Sequence, residues 1–193
     1  MTTHILIVGR GPSGTLAANR LRLAYDGDGV EITVVDRSGP ARDPEIELLT
    51  AIGLYGPGTL RAPEHRDLRD GIRPRHAEAV TLAPDREEAT LTDGTALAYD
   101  ILVVATGAPP PAQPRTGFAA RAGLCDSRGY VVVDPHTQRS PARPRVFALG
   151  GATRLPTGRV AQAETLVRQV RAVLADAAGA APNGDRWSAA GPA

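Results

Sequence analysis

The chain opens on an informative segment, His4-Ile5-Leu6-Ile7-Val8-Gly9-Arg10-Gly11-Pro12-Ser13-Gly14. Its apolar run, Ile5–Val8, is typical of a strand in a parallel sheet whose two faces are both covered. The residues that follow, Pro12–Tyr25, have small and apolar side chains at helical spacing. A strand rich in β-branched residues, Val30–Val35, then leads to Asp36. Together these segments predict one β-strand–helix–β-strand unit with a glycine-rich turn after its first strand.

Two helices are predicted to be amphipathic. The first is expected to turn Asn19, Arg20 and Arg22 toward solvent. Its predicted inward face comprises Gly14, Ala17, Ala18, Leu21 and Tyr25. A later helix is predicted over Gly158–Ala175. Its predicted inward face comprises Val160, Ala163, Val167, Val170 and Leu174.

The turn after the first strand contains three glycines with separate roles. Gly9 permits the tight turn, Gly11 lets a pyrophosphate approach the backbone, and Gly14 lets the helix pack on the strand. The helix N-terminus adds partial positive charge toward the phosphates. Asp36, at the tip of the second strand, is placed to accept hydrogen bonds from an adenosine ribose. The sequence therefore predicts a dinucleotide-binding site.

The glycine loop alone does not distinguish FAD from NAD or NADP. Arg37, directly after Asp36, could meet a 2′-phosphate or could equally be a solvated surface residue. A P-loop is excluded, because no Lys-Ser or Lys-Thr pair follows the last glycine.

The rest of the chain adds strands, a hairpin and a connector. Residues 37–75 have a weak pattern apart from a short helical patch at Glu45–Ile52, and we expect an excursion with loops there. A hairpin is predicted around the turn Asp93-Gly94. The proline-rich residues 108–116 are predicted to form a stiff connector. The strands predicted after the first unit are Ala77–Leu82, Ala89–Thr92, Ala96–Tyr99, Asp100–Ala105, Tyr130–Val133 and Val146–Leu149.

Composition argues against several classes of function. The chain has 193 residues, 42% of them hydrophobic, and a formal charge of +1, so neither nucleic acid nor an anionic membrane is expected as a partner. All 22 basic residues are arginine, which excludes a lysine Schiff base and is typical of a GC-rich bacterial genome. The single Cys125 excludes an internal disulfide, and the four histidines lack metal-ligand spacing. Because no apolar run has membrane-spanning length and no signal peptide is recognised, we expect a cytoplasmic protein without a metal.

Six segments form an ordered set of motifs. They are Ile5–Gly14, Glu31–Asp36, Thr92–Gly107, Gly123–Asp134, Val146–Gly150 and Pro156–Ala163. In this order they resemble the motifs of FAD-dependent pyridine nucleotide-disulfide oxidoreductases. The resemblance is greatest to the branch of sulfide:quinone reductase and type II NADH dehydrogenase. It covers nearly all of residues 4–176 and implies FAD as the cofactor.

The resemblance also implies a role for each cofactor-binding residue. Asp36 would hold the adenosine ribose, with Arg37 beside it, and the backbone near Ala79 would contact adenine. The residues that would cradle the pyrophosphate are Gly9, Gly11, Pro12, Ser13 and Gly14. The residues that would pass close to the cofactor or reach its ribityl end are Ala105, Thr106, Gly107, Gly150, Gly151 and Ala152. The resemblance assigns no catalytic residue.

Departures from the family pattern bear on function. In the family, the motif that Thr106-Gly107 resembles leads into a whole NAD(P)H-binding module, whereas here only the connector and a short segment up to Ala122 intervene. At Gly151 the family has an aspartate that bonds a ribityl hydroxyl. Losing that charge-assisted bond costs about 1.5–3 kcal/mol, or roughly ten- to a hundredfold in affinity. Arg10 is bulkier than the family's usual small residue, so weaker FAD binding is expected.

We therefore expect an α/β fold, a Rossmann-type FAD-binding domain with a parallel sheet and an added β-hairpin layer. A single domain is predicted over residues 1–176, in which 1–109 and 117–176 are joined by the connector 108–116. Residues 177–193, rich in Ala, Gly and Pro, are predicted to be a disordered tail.

Three functions are open at this point. The first is a minimal FAD-binding flavoprotein, an oxidoreductase that uses an external reductant or a partner reductase. The second is a flavoprotein-derived non-redox enzyme or binding protein of secondary metabolism, whose partner is a small-molecule substrate. The third is a non-catalytic subunit that forms a stable homo-oligomer or heterocomplex.

Overall fold

The computed structural model describes residues 2–27, 29–37, 67–107 and 117–179. The described helices are α1 (Pro12–Ala24), α2 (Gly117–Arg121) and α3 (Arg159–Gly179), with a short 3-10 helix at Gly150–Ala152. The described strands are β1 (Thr3–Val8), β2 (Val30–Asp36), β3 (Ile72–His76), β4 (Ala79–Ala83), β5 (Glu88–Leu91), β6 (Ala96–Ala98), β7 (Ile101–Val104) and β8 (Val146–Ala148).

Five of these strands form one parallel sheet in the order β3-β2-β1-β7-β8, and β4, β5 and β6 form a separate antiparallel sheet. In the parallel sheet Val8 is paired with Val35 on one side and with Val104 on the other, and Val104 is paired with Ala148. The carboxyl ends of four strands therefore lie level at one edge. The chain order reverses beside β1, and open α/β sheets bind ligands outside the carboxyl ends at such a point.

Alternate residues of the central strands pack into two cores on opposite faces of the sheet. On one face Ile5 and Ile7 belong to a cluster with Leu21 of α1 and Leu166 of α3. On the other face Leu6 and Val8 belong to a cluster that the antiparallel sheet and α2 complete, through Leu82, Leu91 and Phe118. Both faces are covered, which explains the uninterrupted apolar run in β1. The predicted α/β architecture, with its parallel sheet and added antiparallel layer, is confirmed.

Tyr99 lies in the second core with 1% of its surface exposed. Burial raises the pKa of its phenol, and the hydroxyl has no hydrogen-bond partner among the described residues. A buried hydroxyl without a partner destabilises the folded state. We expect Tyr99→Phe to leave the free energy of unfolding in urea unchanged, or to raise it by up to about 2 kcal/mol. Tyr130→Phe, at a partly exposed ring, serves as the control, and a loss above about 1 kcal/mol in Tyr99→Phe alone would contradict the expectation.

The edge strand β3 was not predicted, because residues 37–75 were expected to form loops. Its sequence has one buried residue, Ile72, followed by four exposed residues that include Pro74. It forms through backbone pairing with β2, in register from Ile32 opposite Ile72 to Asp36 opposite His76. An edge strand with this composition has no periodicity that sequence analysis could detect.

The strand predicted at Tyr130–Val133 is wrong. Among the described residues Val131 forms only an isolated bridge with Cys125. The N–H groups of Val131 and Val132 donate to the carbonyls of Ala152 and Leu124, at 2.9 Å each. The backbone N–H groups of this segment are therefore hydrogen-bonded within an irregular loop, and this loop lies beside the 3-10 helix.

Both predicted helix faces need correction. Asn19 was expected to face solvent but is 3% exposed, since its amide donates to the Asp67 carbonyl at 2.8 Å and accepts the Arg69 N–H at 2.9 Å. In α3 the expected Val160 is 51% exposed. The buried face of α3 consists of Gln162, Ala163, Leu166, Val170 and Val173. The helix also extends four residues beyond its predicted end, to Gly179. The predicted helical patch at residues 45–52, the connector 108–116 and residues 180–193 lie outside the described part of the chain.

Candidate functional site

The glycine loop between β1 and α1 lies across the ends of three strands. The Gly9 N–H donates to the Val35 carbonyl of β2 at 2.8 Å. Gly9 has a φ of 111°, which favours glycine, and a Cβ there would lie 2.9 Å from the Thr106 nitrogen and closer still to the Ala105 carbonyl. The loop is therefore held against the backbone that follows β7.

The other two loop glycines differ in what surrounds them. A Cβ on Gly14 would lie well inside 3.0 Å of the Gly9 carbonyl oxygen, so this glycine is required for the helix to pack. A Cβ on Gly11 would meet nothing within 4 Å. Gly11 is also the N-cap of α1, and Pro12 follows in the first turn. The open space above Gly11 therefore adjoins a helix N-terminus, which is a suitable place for a phosphate.

Asp36 lies directly beside this loop. Its Oδ2 accepts the Arg10 N–H at 2.6 Å, and its carbonyl accepts the Ala77 N–H at 3.1 Å. The carboxylate is therefore fixed next to the loop, as the ribose-binding prediction requires. Arg37 is exposed and its guanidinium lies 3.9 Å from the Glu78 carboxylate, so contact with a 2′-phosphate stays a prediction. Ala79 is buried at the start of β4, two residues beyond the Ala77 bond to Asp36, and its contact with adenine also stays a prediction.

The segment after β8 meets the glycine loop from the other side. Gly150 has a φ of 65°, and a Cβ there would lie 2.5 Å from the Ser13 Oγ. The Leu149 N–H donates to the Val104 carbonyl at 3.1 Å, which holds this segment level with the end of β7. Gly151 is exposed, whereas Ala152 is fully buried. Residues from the beginning and the later part of the chain are thus in contact at the same edge of the sheet.

Gln162 was not predicted as a site residue, although it positions Gly150. Its side chain is 2% exposed; the Oε1 accepts the Gly150 N–H at 2.6 Å and the Nε2 donates to the Thr157 carbonyl at 2.7 Å. The sequence carries no signal for this contact, because a glutamine in a helix next to the exposed Ala161 shows no sign of being buried.

Replacing Gln162 by leucine is expected to lower the free energy of unfolding by about 1–3 kcal/mol, chiefly because the Gly150 N–H loses its acceptor. Gln169→Leu, at a half-buried position on the same helix, is the matched control and should change it by less than about 0.5 kcal/mol. Urea denaturation of the two variants measures the difference. Equal effects would show that the bond to Gly150 contributes nothing.

Thr106 contributes a side-chain group to the site that lacks a protein partner. Its Oγ1 is buried and has no hydrogen-bond partner among the described residues. It follows Ala105, whose N–H donates to the Val8 carbonyl at 2.8 Å. A buried hydroxyl in this condition calls for an acceptor or donor from a ligand or water.

The described residues thus place the predicted loop, Asp36, residues 105–107 and residues 150–152 at one edge of the parallel sheet. Arg37 directly follows Asp36 at the end of β2, and Ala79 is the first residue of β4, so these two predicted residues are not part of this group. Within 2–27, 29–37, 67–107 and 117–179, no three His, Cys, Asp or Glu side chains are grouped to hold a metal ion. In the same ranges no helix is both long and apolar enough to cross a membrane.

A parallel sheet with a glycine loop at its switch point and an acidic residue at the end of the adjacent strand defines a Rossmann-type dinucleotide-binding protein. The sequence profile of the family described as pyridine nucleotide-disulphide oxidoreductase matches residues 3–112 and 57–170. The chain therefore belongs to this family, whose members are generally FAD-binding oxidoreductases. The narrower resemblance to one branch of the family stays a prediction.

Three solved structures resemble this chain to different extents, and the first of them shows the same fold. A chain in the mitochondrial ATP synthase structure of Tetrahymena thermophila is 11% identical, with a TM-score of 0.75 over 91% of this chain and 80% of that chain. The sulfide:quinone oxidoreductase of Aquifex aeolicus is 23% identical, with a TM-score of 0.44 over 56% of this chain and 25% of that chain. The NAD-dependent persulfide reductase of A. fulgidus is 25% identical, with a TM-score of 0.46 over 58% of this chain and 23% of that chain. The matches to these two reductases thus span about a quarter of each reductase.

Proposed function

We propose that this chain is a minimal flavoprotein that holds FAD across the glycine loop and acts as an oxidoreductase. The pyrophosphate would lie over Gly11 and the N-terminus of α1, and the adenosine ribose would bind Asp36. Thr106 and the backbone of residues 150–152 would hold the ribityl end. FAD supplies hydride and electron transfer when bound, and the described residues bind and orient it.

One observation carries this proposal: the space above Gly11 is open, while the loop around it is in contact with Ala105, Gly150 and Asp36. Gly9 and Gly14 are packed against backbone, and Gly150 is packed against Ser13, yet a Cβ on Gly11 meets nothing within 4 Å. Gly11 is half-buried, and open space directly at a helix N-terminus, where backbone N–H groups and the helix dipole attract negative charge, suits a phosphate. The unpartnered Thr106 hydroxyl, after the neighbouring strand, is consistent with the same ligand.

The length of the chain between β7 and α2 bears on the proposed source of electrons. Nine residues, 108–116, connect Gly107 to Gly117. A single βαβ crossover needs at least about 10–12 residues, so a second Rossmann module cannot be inserted here. We propose that residues 1–176 act as a single FAD domain and that reducing equivalents come from an external reductant or a separate reductase.

The visible absorption spectrum of the purified chain, after incubation with excess FAD and desalting, tests the proposal. We expect flavin bands at about one FAD per chain, bleached by dithionite and restored by air. Reduction by NADH should be slow unless a reductase is added. A colourless protein that retains no FAD would overturn the flavoprotein proposal, and FAD that is retained but is not reduced would overturn the oxidoreductase activity.

The likeness to the Tetrahymena chain favours a second candidate, a subunit without turnover of its own. That chain belongs to the structure of a multi-subunit assembly, and the likeness covers 91% of this chain and 80% of that one. This candidate predicts a stable dimer or heterocomplex, no turnover by the chain alone and no retained flavin. Light scattering on the desalted protein, read beside the same spectrum, separates the two candidates.

Restoring an acidic residue at position 151 is expected to tighten FAD binding. Gly151 is exposed beside Gly150, and the resemblance implies that an aspartate here bonds a ribityl hydroxyl. A charge-assisted hydrogen bond contributes about 1.5–3 kcal/mol, so Gly151→Asp should lower the Kd for FAD by about ten- to a hundredfold. Gly151→Asn controls for size without charge. Fluorescence titration with FAD measures the change, and weaker binding by the aspartate variant would contradict the proposed orientation of the cofactor.

A further inference from the structure

Arg10 is the charged residue of the glycine loop, between Gly9 and Gly11. Its backbone is fixed, because its N–H donates to Asp36 Oδ2 at 2.6 Å and its carbonyl accepts the Thr15 hydroxyl at 3.2 Å. Its side-chain Nε is buried and has no hydrogen-bond partner among the described residues. A buried guanidinium nitrogen without an acceptor destabilises the protein, so the loop is short of one acceptor.

The charge around the loop favours an anion as the missing acceptor. The first turn of α1 contains no acidic residue that would offset the positive helix N-terminus. The neighbouring basic residue, Arg37, already lies 3.9 Å from the Glu78 carboxylate. The Asp36 carboxylate also lies beside the loop, where it accepts the Arg10 backbone N–H, so the Arg10 Nε and the helix N-terminus are left for an anion from a ligand. A guanidinium binds phosphate oxygens in a bidentate manner.

The opposite end of the site offers much less. Residues 105–107 and 150–153 contain no charged side chain. The Thr153 hydroxyl donates to the Gly150 carbonyl at 3.1 Å, so it is engaged within the protein. The buried Thr106 hydroxyl is the side-chain group that these segments offer without a protein partner. Charged groups are thus concentrated where the pyrophosphate and ribose would bind.

In contrast to the weaker FAD binding expected from the bulk of Arg10, we propose that Arg10 binds the pyrophosphate of an ADP-containing ligand and that the site selects its ligand by the ADP half. The choice of FAD as the natural ligand rests on the proposed function. ADP and ADP-ribose contain the same adenosine and pyrophosphate groups that the site would recognise in FAD. FAD and ADP should therefore bind with affinities within about tenfold of each other, whereas riboflavin, which lacks phosphate, should not compete.

Calorimetric titration with FAD, ADP, adenosine and riboflavin tests this at about 0.1 M and about 1 M salt, where the screening length falls from about 10 Å to about 3 Å. We expect Arg10→Met to weaken the binding of FAD and of ADP by about ten- to a hundredfold and to leave the binding of adenosine unchanged. The salt dependence of FAD and ADP binding should also be smaller in this variant. Arg10→Lys should retain part of the affinity. Arg86→Met, which removes an exposed charge in the turn between β4 and β5, should bind all ligands as the wild type does.

The outcomes separate this inference from the proposed function. Equal ADP binding by wild type and Arg10→Met overturns the role of Arg10. FAD bound more than about tenfold tighter than ADP overturns selection by the ADP half but leaves the flavoprotein proposal standing. If the protein binds ADP but not FAD, the flavoprotein proposal is overturned and selection by the ADP half stands. If it binds neither ligand, both proposals are overturned. If Arg10→Met does not fold, the wild type decides, because ADP affinity independent of salt would overturn the inference.

Discussion

Gly11→Ala is expected to fold as the wild type does and to lose FAD binding by at least about a hundredfold, since the added methyl group would occupy the space proposed for the pyrophosphate. The position has a φ of −68° and a ψ of 175°, which alanine adopts readily, and the new Cβ meets no atom within 4 Å. The loss of a favourable N-cap should cost no more than about 1 kcal/mol. Fluorescence titration with FAD and a urea unfolding curve measure the two effects.

Gly11→Ser is the companion variant, because serine is a preferred N-cap and has the same Cβ. It should be at least as stable as Gly11→Ala and should also fail to bind FAD. If either variant binds FAD with wild-type affinity, the pyrophosphate does not lie over Gly11. If both unfold, the open space above Gly11 is needed for the fold and carries no information on a ligand.

Gly14→Ala is expected to destabilise the protein severely, by about 3 kcal/mol or more. The added Cβ would overlap the Gly9 carbonyl oxygen and would lie 3.2 Å from the Ala105 Cβ, so α1 would have to move away from the sheet. Both neighbours belong to the framework of the loop, and backbone cannot give way as a flexible side chain would. Urea denaturation measures the loss.

Gly27→Ala is the matched control for this effect. It lies just beyond α1, and a Cβ there meets nothing within 4 Å. Its free energy of unfolding should stay within about 0.5 kcal/mol of the wild type. A loss in Gly14→Ala no greater than in Gly27→Ala would show that the helix does not pack on the loop as described.

The first unit of the fold could be predicted because its local patterns agree with its tertiary environment. Ile5–Val8 is apolar at every position because both faces of β1 are covered, and the glycine spacing reflects backbone contacts of Gly9 and Gly14. By contrast, β3 could not be predicted, since only Ile72 of its five residues is buried and the strand has no alternation of apolar and polar residues. Tertiary context also reversed the expected exposure of Asn19, which binds a backbone segment distant in sequence.

The arrangement of the site was predictable where glycine spacing or a charge marks a position, as at Gly11 and Asp36, whose contact with a ligand stays a prediction. It was not predictable where the function is to hold another residue in place. Gln162 fixes Gly150 through one amide, and neither its type nor its spacing in α3 identifies that contact. Likewise, the buried Nε of Arg10 becomes informative only when its surroundings are known.

A crystal structure of the chain grown with FAD above its measured Kd would test the account of the site. We expect the pyrophosphate over Gly11 at the N-terminus of α1, the adenosine ribose on Asp36, and the ribityl chain beside Thr106 and Gly150. FAD bound elsewhere on the chain, or a glycine loop that stays empty at saturating FAD, would contradict it.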